Sequence, residues 1–354
     1  MARSAEVFQL DTNMSNRLED NFGRRFSYLR LSITEQCNFR CQYCLPDGSS
    51  VDASCSKAEL TLPEIEILVR SFAALGTKKV RISGGEPSLR KDLCAIIRTI
   101  KAIPGIETVA LSTNGYRLKK DVVAWREAGL DQLNISIDSL DAATFALITG
   151  QDRLSDILEG LELASELGFS AIKINTVLLK FYNAMALPDF LAFVQKRNIS
   201  LRFIELMQTG DSNAFFKKQQ QSASAWCEQL QQQGWQLQTP ALHAGPAREY
   251  QHPDYQGKIG FITPYSEHFC DDCNRLRVSS TGQLFLCLFA EEHQNLRPLL
   301  QAVMRQNESS QNQQKPDTQV LQQWLQQQVQ QKTASHLLTT QQTGATRHFA
   351  MIGG

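Results

Sequence analysis

Apolar, β-branched runs alternate with helical patterns from about residue 26 to 206, and this alternation constrains the fold most strongly. The runs predict strands at residues 28–33, 79–82, 108–111, 132–137, 171–178 and 200–206. Between the fourth and fifth runs, the pattern predicts a helix at residues 155–168 that Gly168 ends. Its apolar face consists of Ile157, Leu158, Leu161, Ala164 and Leu167. Six β/α units in series predict a parallel sheet, either an open (β/α)6 or a full (β/α)8 barrel. A doubly wound open sheet is the alternative.

Chemically distinctive residues stand at or near the end of each predicted strand. A cysteine loop follows the first strand, residues 83–87 (SGGEP) end the second and residues 112–115 (STNG) end the third. The later strands carry polar groups and a methionine, which are Asn134, Ser136, Asp138, Lys173, Asn175, Arg202, Glu205 and Met207. Because the carboxyl ends of all strands in a parallel barrel meet on one face, this pattern favours a barrel with its active site there.

The cysteine loop contains Cys37, Cys41 and Cys44 with the spacing C-x3-C-x2-C. Three such thiolates can hold three irons of a [4Fe–4S] cube and leave the fourth iron open to a small molecule. A structural zinc site needs four ligands, and no fourth Cys or His lies within ten residues of this triplet. The spacing is typical of the radical S-adenosylmethionine (SAM) enzymes. The alternative is three unrelated or zinc-binding cysteines.

A second cysteine group, Cys270, Cys273 and Cys287, lies outside the strand–helix repeat. Its spacing fits an iron–sulfur cluster and a zinc site equally well, with His268 or His293 as a fourth zinc ligand. Arg275 and Arg277 follow at alternate positions, so on an extended segment both point the same way and could clamp a polyphosphate. Further cations fall on or near the predicted strands and suggest an anion-binding interior, namely Arg30, Lys79, Arg81, Lys173 and Arg202.

Composition excludes several classes of function. The 354 residues carry 36 basic and 36 acidic side chains, so no net field attracts nucleic acid or an anionic membrane. No apolar run reaches the roughly 18 residues of a membrane span, and residues 1–19 do not resemble a signal peptide. Nine cysteines, six of them in two groups, indicate metal ligation in a reducing, cytoplasmic compartment rather than disulfides. Cys55, Cys94 and Cys227 do not lie at a metal-ligand spacing from another cysteine.

The chain resembles the GTP 3′,8-cyclase family of molybdenum cofactor biosynthesis. The resemblance rests on short motifs from residue 22 to 290 and on the terminal Gly353-Gly354. These motifs are FGR (22–24), LRLSIT (29–34), CNFRC (37–41), RISGGEPSLR (81–90), STNG (112–115), NISIDSL (134–140), KINTV (173–177), RFIELM (202–207), GKIGFIT (257–263), CNRLR (273–277) and CLF (287–289). The paired cysteine groups and the Gly-Gly end separate this family from other radical SAM proteins.

The resemblance implies an incomplete (β/α)6 triosephosphate-isomerase-type barrel with a C-terminal segment that carries a second iron–sulfur cluster. It divides the chain into an N-terminal extension (1–25), the barrel (26–210) and an auxiliary cluster and substrate-binding domain (211–305). A Gln-rich helical segment (306–335) and a tail (336–354) follow. Within the Gln-rich segment we predict a helix at 320–331 on Leu321, Trp324, Leu325 and Val329, without chemistry of its own.

The resemblance also implies the site residues. Two [4Fe–4S] clusters would be held by Cys37, Cys41 and Cys44 and by Cys270, Cys273 and Cys287. SAM would contact Tyr43, Gly85, Ser136 and Met207. GTP would contact Arg30, Arg81, Ser112, Lys173, Arg275 and Arg277, with its guanine at the second cluster; the family usually has Thr where Ser112 stands. Gly353 and Gly354 would reach into the active site and be needed for catalysis.

The implied reaction begins when the 5′-deoxyadenosyl radical removes the ribose 3′ hydrogen of GTP. C3′ then attacks C8, which gives (8S)-3′,8-cyclo-7,8-dihydroguanosine 5′-triphosphate, the first step of molybdopterin biosynthesis. Implied partners are a one-electron reductase such as a flavodoxin, the downstream cyclic pyranopterin monophosphate synthase and a second copy of the chain. The alternatives are a radical SAM peptide maturase with an auxiliary cluster and a non-enzymatic iron–sulfur or zinc protein.

Overall fold

The computed structural model describes residues 17–48, 58–210, 213–240, 245–309, 318–336, 338, 343–344 and 346–353. The strands are β1 (Tyr28–Ser32), β2 (Lys79–Ser83), β3 (Thr108–Thr113), β4 (Gln132–Ser136), β5 (Ala171–Leu178), β6 (Ser200–Glu205), β7 (Gln236–Leu237), β8 (Arg248–Gln251), β9 (Lys258–Ile262), β10 (Arg275–Val278), β11 (Gln283–Phe285) and β12 (Gln294–Asn295). The α-helices are α1 (Leu62–Ala74), α2 (Leu93–Lys101), α3 (Leu118–Glu127), α4 (Ala142–Thr149), α5 (Leu154–Glu166), α6 (Leu187–Gln195), α7 (Asn213–Gln219), α8 (Ser224–Gln232), α9 (Arg297–Ser309) and α10 (Gln319–Val329).

The strands form one sheet in which β1 to β6 lie side by side in chain order, each parallel to the next. Two more parallel strands flank this series, β10 beside β1 and β9 beside β6. Antiparallel strands extend both edges, with β11 and β12 beyond β10 and β8 and β7 beyond β9. A doubly wound sheet would reverse its strand order at a switch point. The sequential order therefore confirms the predicted α/β fold with a parallel sheet of barrel type.

The main hydrophobic core lies between one face of this sheet and the surrounding helices. Leu29 and Leu31 of β1 are fully buried in the same cluster as Leu68 and Phe72 of α1. Full burial of each such side chain stabilises the fold by about 1.5–3 kcal/mol. The helix α1 starts at Leu62 because Thr61 forms a capping box with Glu64, in which each side chain accepts a hydrogen bond from the backbone N–H of the other residue.

The helix predicted at 155–168 is α5, which begins at Leu154 and ends at Glu166. Ile157, Leu161 and Ala164 of its predicted apolar face are fully buried, whereas Leu158 is only partly buried. Gly168 lies two residues beyond the helix in the left-handed region, at φ +67°. A glycine takes this conformation without strain and so reverses the chain towards β5.

The opposite face of the sheet is lined by polar side chains and forms the interior of the barrel. Successive side chains of a strand point to opposite faces of the sheet. Leu29 and Leu31 point towards the surrounding helices, so Tyr28 and Arg30 point into the barrel. Arg30 lies in register with Arg81 on β2 and with Arg277 on β10. The interior is therefore an anion-attracting cavity at this level, instead of the stacked apolar layers that fill most such barrels.

The N-terminal segment meets residues 333 and 334 beside the second cysteine group. The Arg24 side chain is buried, pairs with Asp20 at 2.7 Å and donates to the backbone carbonyls of Cys270, Thr333 and Ala334. The Gln-rich segment forms α10, which packs on α1 and α9 through buried residues that include Leu321, Leu325 and Val329. None of the helices in the described ranges has the length and apolar character needed to cross a membrane.

Candidate active site

The first cysteine triplet lies in the loop after β1 and faces a cavity of about 170 Å³. We call it the cysteine-loop cavity; besides Cys37, Cys41 and Cys44 its lining includes Tyr43, Gly84, Gly85, Ser112, Ser136, Met207 and Gly353. The SAM residues expected from the family resemblance, Tyr43, Gly85, Ser136 and Met207, therefore share one cavity with the triplet. Ser112, expected to contact GTP, lies here as well.

Burial raises the pKa of all three thiols in this loop. The pKa of Cys37 rises to about 11 and that of Cys44 to about 12, and the pKa of Cys41 is also well above its usual range. No cation is among the main influences on the pKa of these thiols, and a metal group bound to them would supply the positive charge that favours a thiolate. A triplet of thiols around a cavity thus fits the [4Fe–4S] cluster that the radical SAM spacing implies.

The two glycines after β2 allow this loop to pack closely on the strand end. A Cβ on Gly84 would lie 2.4 Å from the Thr34 carbonyl oxygen, and one on Gly85 would lie 2.3 Å from that of Gln36. The backbone N–H of Gly85 donates to the Thr34 carbonyl, and that of Glu86 donates to the Gln36 carbonyl. The glycines therefore allow β2 to pack closely on the segment that leads into Cys37.

Glu86 ties the ends of β2 and β3 together, a role that the sequence did not reveal. Its carboxylate is fully buried and accepts hydrogen bonds from the Ser88 and Asn114 backbone N–H groups and from the Thr113 hydroxyl. The Asn114 side chain then donates to Asn38 beside the cysteine loop. Glu86 thus positions two loops that line the cysteine-loop cavity.

The second cysteine triplet faces another cavity, of about 100 Å³. We call it the arginine cavity; its lining includes Cys270, Cys273, Cys287, Arg30, Arg81, Arg202, Arg275, Arg277, Lys332 and His336. Four of the six residues expected to bind GTP therefore lie beside this triplet. His268 and His293, the candidate fourth zinc ligands, are not among the lining residues. His268 pairs with Asp271 at 2.8 Å, and His293 stacks on Phe285.

Cys273 differs from the other thiols because cations surround it. Burial raises its pKa, but Arg275 and Lys332 outweigh that effect and lower the pKa to about 7. By contrast, burial raises the pKa of Cys270. Within the described residues, no three His, Cys, Asp or Glu side chains converge as they would around a single metal ion.

Arg30 and Arg81 lie in the arginine cavity with unused hydrogen-bonding capacity. The Nε atom of each is buried and has no hydrogen-bond partner among the described residues. Burial and the neighbouring arginines Arg30, Arg202 and Arg275 lower the pKa of Arg81 to about 9, although Tyr28 opposes this shift. Buried guanidiniums that repel one another are stabilised by an anion, so this cavity is built to bind one.

Lys173 is separated from these arginines and lies in a third, larger cavity of about 660 Å³. We call it the lysine cavity; its lining includes Lys79, Gln132, Lys173, Lys196, Arg197, Arg202, Glu249 and Lys258. Glu249 pairs with Arg202 at 2.5 Å. Burial, reinforced by Arg202, Lys79 and Arg81, lowers the pKa of Lys173 to about 6. The lysine is therefore largely neutral at pH 7 until an anion enters.

The three cavities adjoin one another, because they share lining residues. Asn175 and Met207 line both the cysteine-loop cavity and the arginine cavity, while Arg202 and Gly245 line both the arginine cavity and the lysine cavity. The predicted GTP residues are thus distributed along this interior rather than gathered at one point. Lys79 and Arg202, which the sequence predicted as cations of an anion-binding interior, lie here as well. Tyr28, which lies close to these cations, was not predicted.

The C-terminal tail enters this interior. The Gly353 carbonyl oxygen accepts from Arg277 at 2.5 Å and from Arg30 at 3.4 Å. Gly353 has φ +66°, and a Cβ there would lie 1.9 Å from the Ser83 hydroxyl oxygen, so only glycine fits. The backbone of Phe349 and Ala350 hydrogen-bonds the Cys44 sulfur. Gly354, the second predicted tail residue, lies outside the described residues.

Comparisons with known proteins agree with this architecture. The Radical SAM superfamily model matches residues 31–194, and the Molybdenum Cofactor Synthesis C model matches residues 199–338. A protein of Vibrio parahaemolyticus named GTP 3′,8-cyclase is 47% identical over 97% of this chain and 99% of its own. Another of that name from Tolumonas auensis is 52% identical over 95% of this chain and 96% of its own.

Solved structures agree on the fold. Streptococcus suis SuiB, crystallised with S-adenosylmethionine, superposes with a TM-score of 0.59 at 14% identity. The match covers 78% of this chain and 65% of SuiB, so it concerns the fold alone. The near full-length relatives are far more similar in sequence. The chain therefore belongs to the GTP 3′,8-cyclase family of the radical SAM superfamily.

Proposed function

We propose that this protein is a radical SAM GTP 3′,8-cyclase, which converts GTP to (8S)-3′,8-cyclo-7,8-dihydroguanosine 5′-triphosphate in molybdenum cofactor biosynthesis. One observation carries the proposal: each cysteine triplet faces one of two adjoining cavities, and buried, incompletely paired arginines line the second of them. Thiols at both sides and guanidiniums between them suit a nucleotide held between two redox groups.

Each end of this interior receives one group in our proposal. Cys37, Cys41 and Cys44 hold a [4Fe–4S] cluster beside SAM, which Tyr43, Gly85, Ser136 and Met207 contact. Cys270, Cys273 and Cys287 hold a second cluster in the segment that follows the (β/α)6 unit. When bound, the first cluster and SAM together supply the 5′-deoxyadenosyl radical that removes the ribose 3′ hydrogen. The lowered pKa of Cys273 favours the thiolate that an iron ligand requires.

The protein's own residues orient GTP along the interior. Arg30, Arg81, Arg275 and Arg277 surround the nucleotide in the arginine cavity, which places the guanine beside the second triplet. That cavity is too small for a whole nucleoside triphosphate, so the phosphate chain extends past Arg202 into the lysine cavity. There Lys79 and Lys173 neutralise its outer charges. The ribose then lies towards the cysteine-loop cavity and Ser112.

The docked tail and its apolar neighbours exclude water from the radical. Phe349 and Ile352 pack with Leu288, Phe289 and the partly buried Met207 in one cluster between the two triplets. A carbon radical needs such a site, because unwanted hydrogen donors must be kept away from it. We assign Gly353, together with Gly354, to closing this space around the substrate, with the Gly353 carbonyl held on Arg277.

The test is isotope transfer under strictly anaerobic conditions. The iron-reconstituted protein is incubated with SAM, dithionite and either GTP or [3′-²H]GTP, and deuterium in 5′-deoxyadenosine is read by mass spectrometry. We expect SAM cleavage that depends on GTP and carries the label. Cleavage without transfer and without any effect of GTP would contradict the cyclase assignment.

The pathway implies partners that we also propose: a one-electron reductase, a cyclic pyranopterin monophosphate synthase that receives the product, and a second copy of this chain in a homodimer. A peptide maturase remains the less favoured activity. The buried cations of the arginine and lysine cavities have no use in binding a neutral peptide, and the near full-length relatives are named as cyclases.

A further inference from the structure

An apolar surface lies directly over the first cysteine triplet. Among the described residues, the large apolar side chains with the highest exposure are Met185 (90%), Phe181 (64%) and Leu147 (64%). Scattered exposed apolar residues are common, but several together indicate a contact surface. We call Leu147, Phe181 and Met185, with the residues around them, the loop-face patch.

Hydrogen bonds connect this patch to the cysteine loop. The Gln42 side chain, between Cys41 and Cys44, donates to the Leu147 carbonyl at 2.7 Å and accepts from the Tyr182 hydroxyl at 2.9 Å. Beneath them, Ile148, Leu179 and Leu206 form a small apolar cluster on which Tyr43 and Tyr182 also pack. The patch is thus the outer side of the wall whose inner side holds the first triplet.

Cations surround the patch. Lys180 lies over the Phe181 ring at 5.6 Å, and the backbone N–H of Lys180 donates to the Gln219 carbonyl of α7, which brings Lys217 and Lys218 alongside. Arg40 contributes a fourth exposed cation from the cysteine loop. The four segments that form this surface, residues 38–48, 142–150, 179–187 and 213–219, contain one acidic residue, Asp47.

This local positive charge contrasts with the rest of the surface. The whole chain has balanced charge, and the three cavities are lined by eleven Lys and Arg side chains against four carboxylates, those of Asp138, Glu162, Glu205 and Glu249. The outer surface therefore has an overall excess of carboxylates. A cationic rim around exposed apolar side chains is complementary to an acidic partner, because opposite surface potentials steer association.

We propose that the loop-face patch is the docking site of an acidic one-electron carrier protein that reduces the cluster held by Cys37, Cys41 and Cys44. The inference rests on the proposed function, because that reaction needs one electron from outside. The reduced carrier loses one electron and the cluster gains it, with no other change in either. Docking here gives the electron a short path through the loop of Tyr43 and Gln42.

The test compares two patch variants with two controls on the reconstituted holoenzyme. The patch variants are Lys180→Glu and the double variant Phe181→Ser, Met185→Ser. The controls are Lys120→Glu, an exposed cation of α3, and Val320→Ser, an exposed apolar residue of α10. Binding of an acidic flavodoxin is measured by calorimetry, and oxidation of its hydroquinone by stopped-flow absorbance. SAM cleavage with dithionite is measured in parallel.

We expect each patch variant to bind flavodoxin about tenfold more weakly and to accept its electron correspondingly more slowly. Both controls should match the wild-type protein, and dithionite-driven cleavage should be equal in all five proteins. Equal binding and equal reduction in patch and control variants would overturn the proposal. A dimer that dissociates only in the patch variants, with flavodoxin binding unchanged, would also overturn it and assign the surface to a second copy. Loss of dithionite-driven cleavage in the wild-type protein would instead contradict the proposed function.

Discussion

At the residue scale, Lys173 shows how the interior prepares for its substrate. Burial and the nearby cations lower its pKa to about 6, and the pKa of Lys79 is lowered to about 8 for similar reasons. Both side chains carry less than full charge in the free protein near pH 8. A polyphosphate between them would raise both pKa values, because an opposite charge favours the protonated form. Binding and protonation are therefore coupled.

We predict that GTP binding takes up protons above about pH 6, the pKa of Lys173 in the free protein, and more above about pH 8, that of Lys79, and that binding weakens as the pH rises through these values. The affinity for GTP falls with rising pH because the bound state holds more protons than the free state, so higher pH favours the free state. Calorimetry in two buffers of different ionisation enthalpy measures the uptake. Lys173→Met should remove up to about one proton from it. An affinity that is independent of pH, with equal heats in both buffers, would contradict this picture.

Tyr28 is a second group whose ionisation reports on the interior. Burial alone raises its pKa, but the positive charges of Arg81, Arg30, Lys79 and Arg275 outweigh burial and lower the pKa to about 8. Lys79 and Arg81 also lie over its ring, at 5.2 and 5.5 Å. We predict a tyrosinate absorbance change near pH 8 that Tyr28→Phe removes and that GTP moves to higher pH. A titration unaltered in Tyr28→Phe would show that this assignment is wrong.

Gly353 gives the sharpest steric prediction. A methyl group there would overlap the Ser83 hydroxyl oxygen, so Gly353→Ala must displace the tail from Arg277. We expect at least about a tenfold loss of cyclase activity, which corresponds to roughly 1.4 kcal/mol. In a Ser83→Gly background the space is larger, and the same substitution should cost less. Equal losses in both backgrounds would show that the contact with Ser83 does not hold the tail.

These residues also show which parts of the site could be predicted from the sequence. The cysteine spacings predicted which thiols group together, because metal ligands must be close in the chain or the fold. The alternation of residues along the strands predicted which cations could face inward. The sequence did not reveal Tyr28 as part of the cation cluster. Nor did it reveal the three donors on Glu86. Both depend on which strands become neighbours, and this information is absent from any local pattern.

At the element scale, the strands β1 to β6 were predictable and the strands that flank them were not. The runs that became β1 to β6 carry their own apolar signal, and their predicted ends lie within two residues of the observed ones. The pairing of β10 with β1 joins segments about 245 residues apart, and β10 is short and half polar. That pairing brings Arg277 beside Arg30, and the local sequence pattern could not show that these two arginines meet.

The N-terminal segment gives a prediction at the same scale. Arg24 joins this segment to residues 333 and 334, from which the tail continues, and its partner Asp20 has a fully buried side chain. Arg24→Gln would leave that carboxylate buried without its cation, at a cost of about 3–5 kcal/mol. Urea unfolding should show this loss, and protease should cut the tail faster.

The adjacent Arg25 provides a matched control. Its guanidinium is 65% exposed and pairs with Glu19 at the surface, so Arg25→Gln should change stability by less than about 1 kcal/mol. It should leave tail cleavage unchanged. If both variants behaved alike, Arg24 would not be the residue that holds the N-terminal segment on residues 333 and 334.

At the scale of the whole molecule, equal numbers of acidic and basic residues conceal a strong separation of charge. Cations are concentrated in the interior and in the loop-face patch, and carboxylates are in excess over the remaining surface. Composition alone correctly indicated that the protein has no net charge, but it could not show that cations and carboxylates occupy different regions. Two electrostatic interactions follow from it, one enclosed by the protein and one exposed to solvent.

These two interactions should respond differently to salt. Mobile ions screen exposed charges with a length of about 10 Å at 0.1 M and about 3 Å at 1 M, whereas enclosed charges are screened much less. We therefore predict that electron transfer from flavodoxin slows steeply as NaCl is raised from about 0.1 to about 1 M. Cyclase turnover with dithionite at saturating GTP should change far less. Initial rates with each reductant over one salt series provide the comparison. Parallel declines would mean that the nucleotide phosphates bind at an exposed surface, because an enclosed interior between Arg30 and Lys173 would protect them.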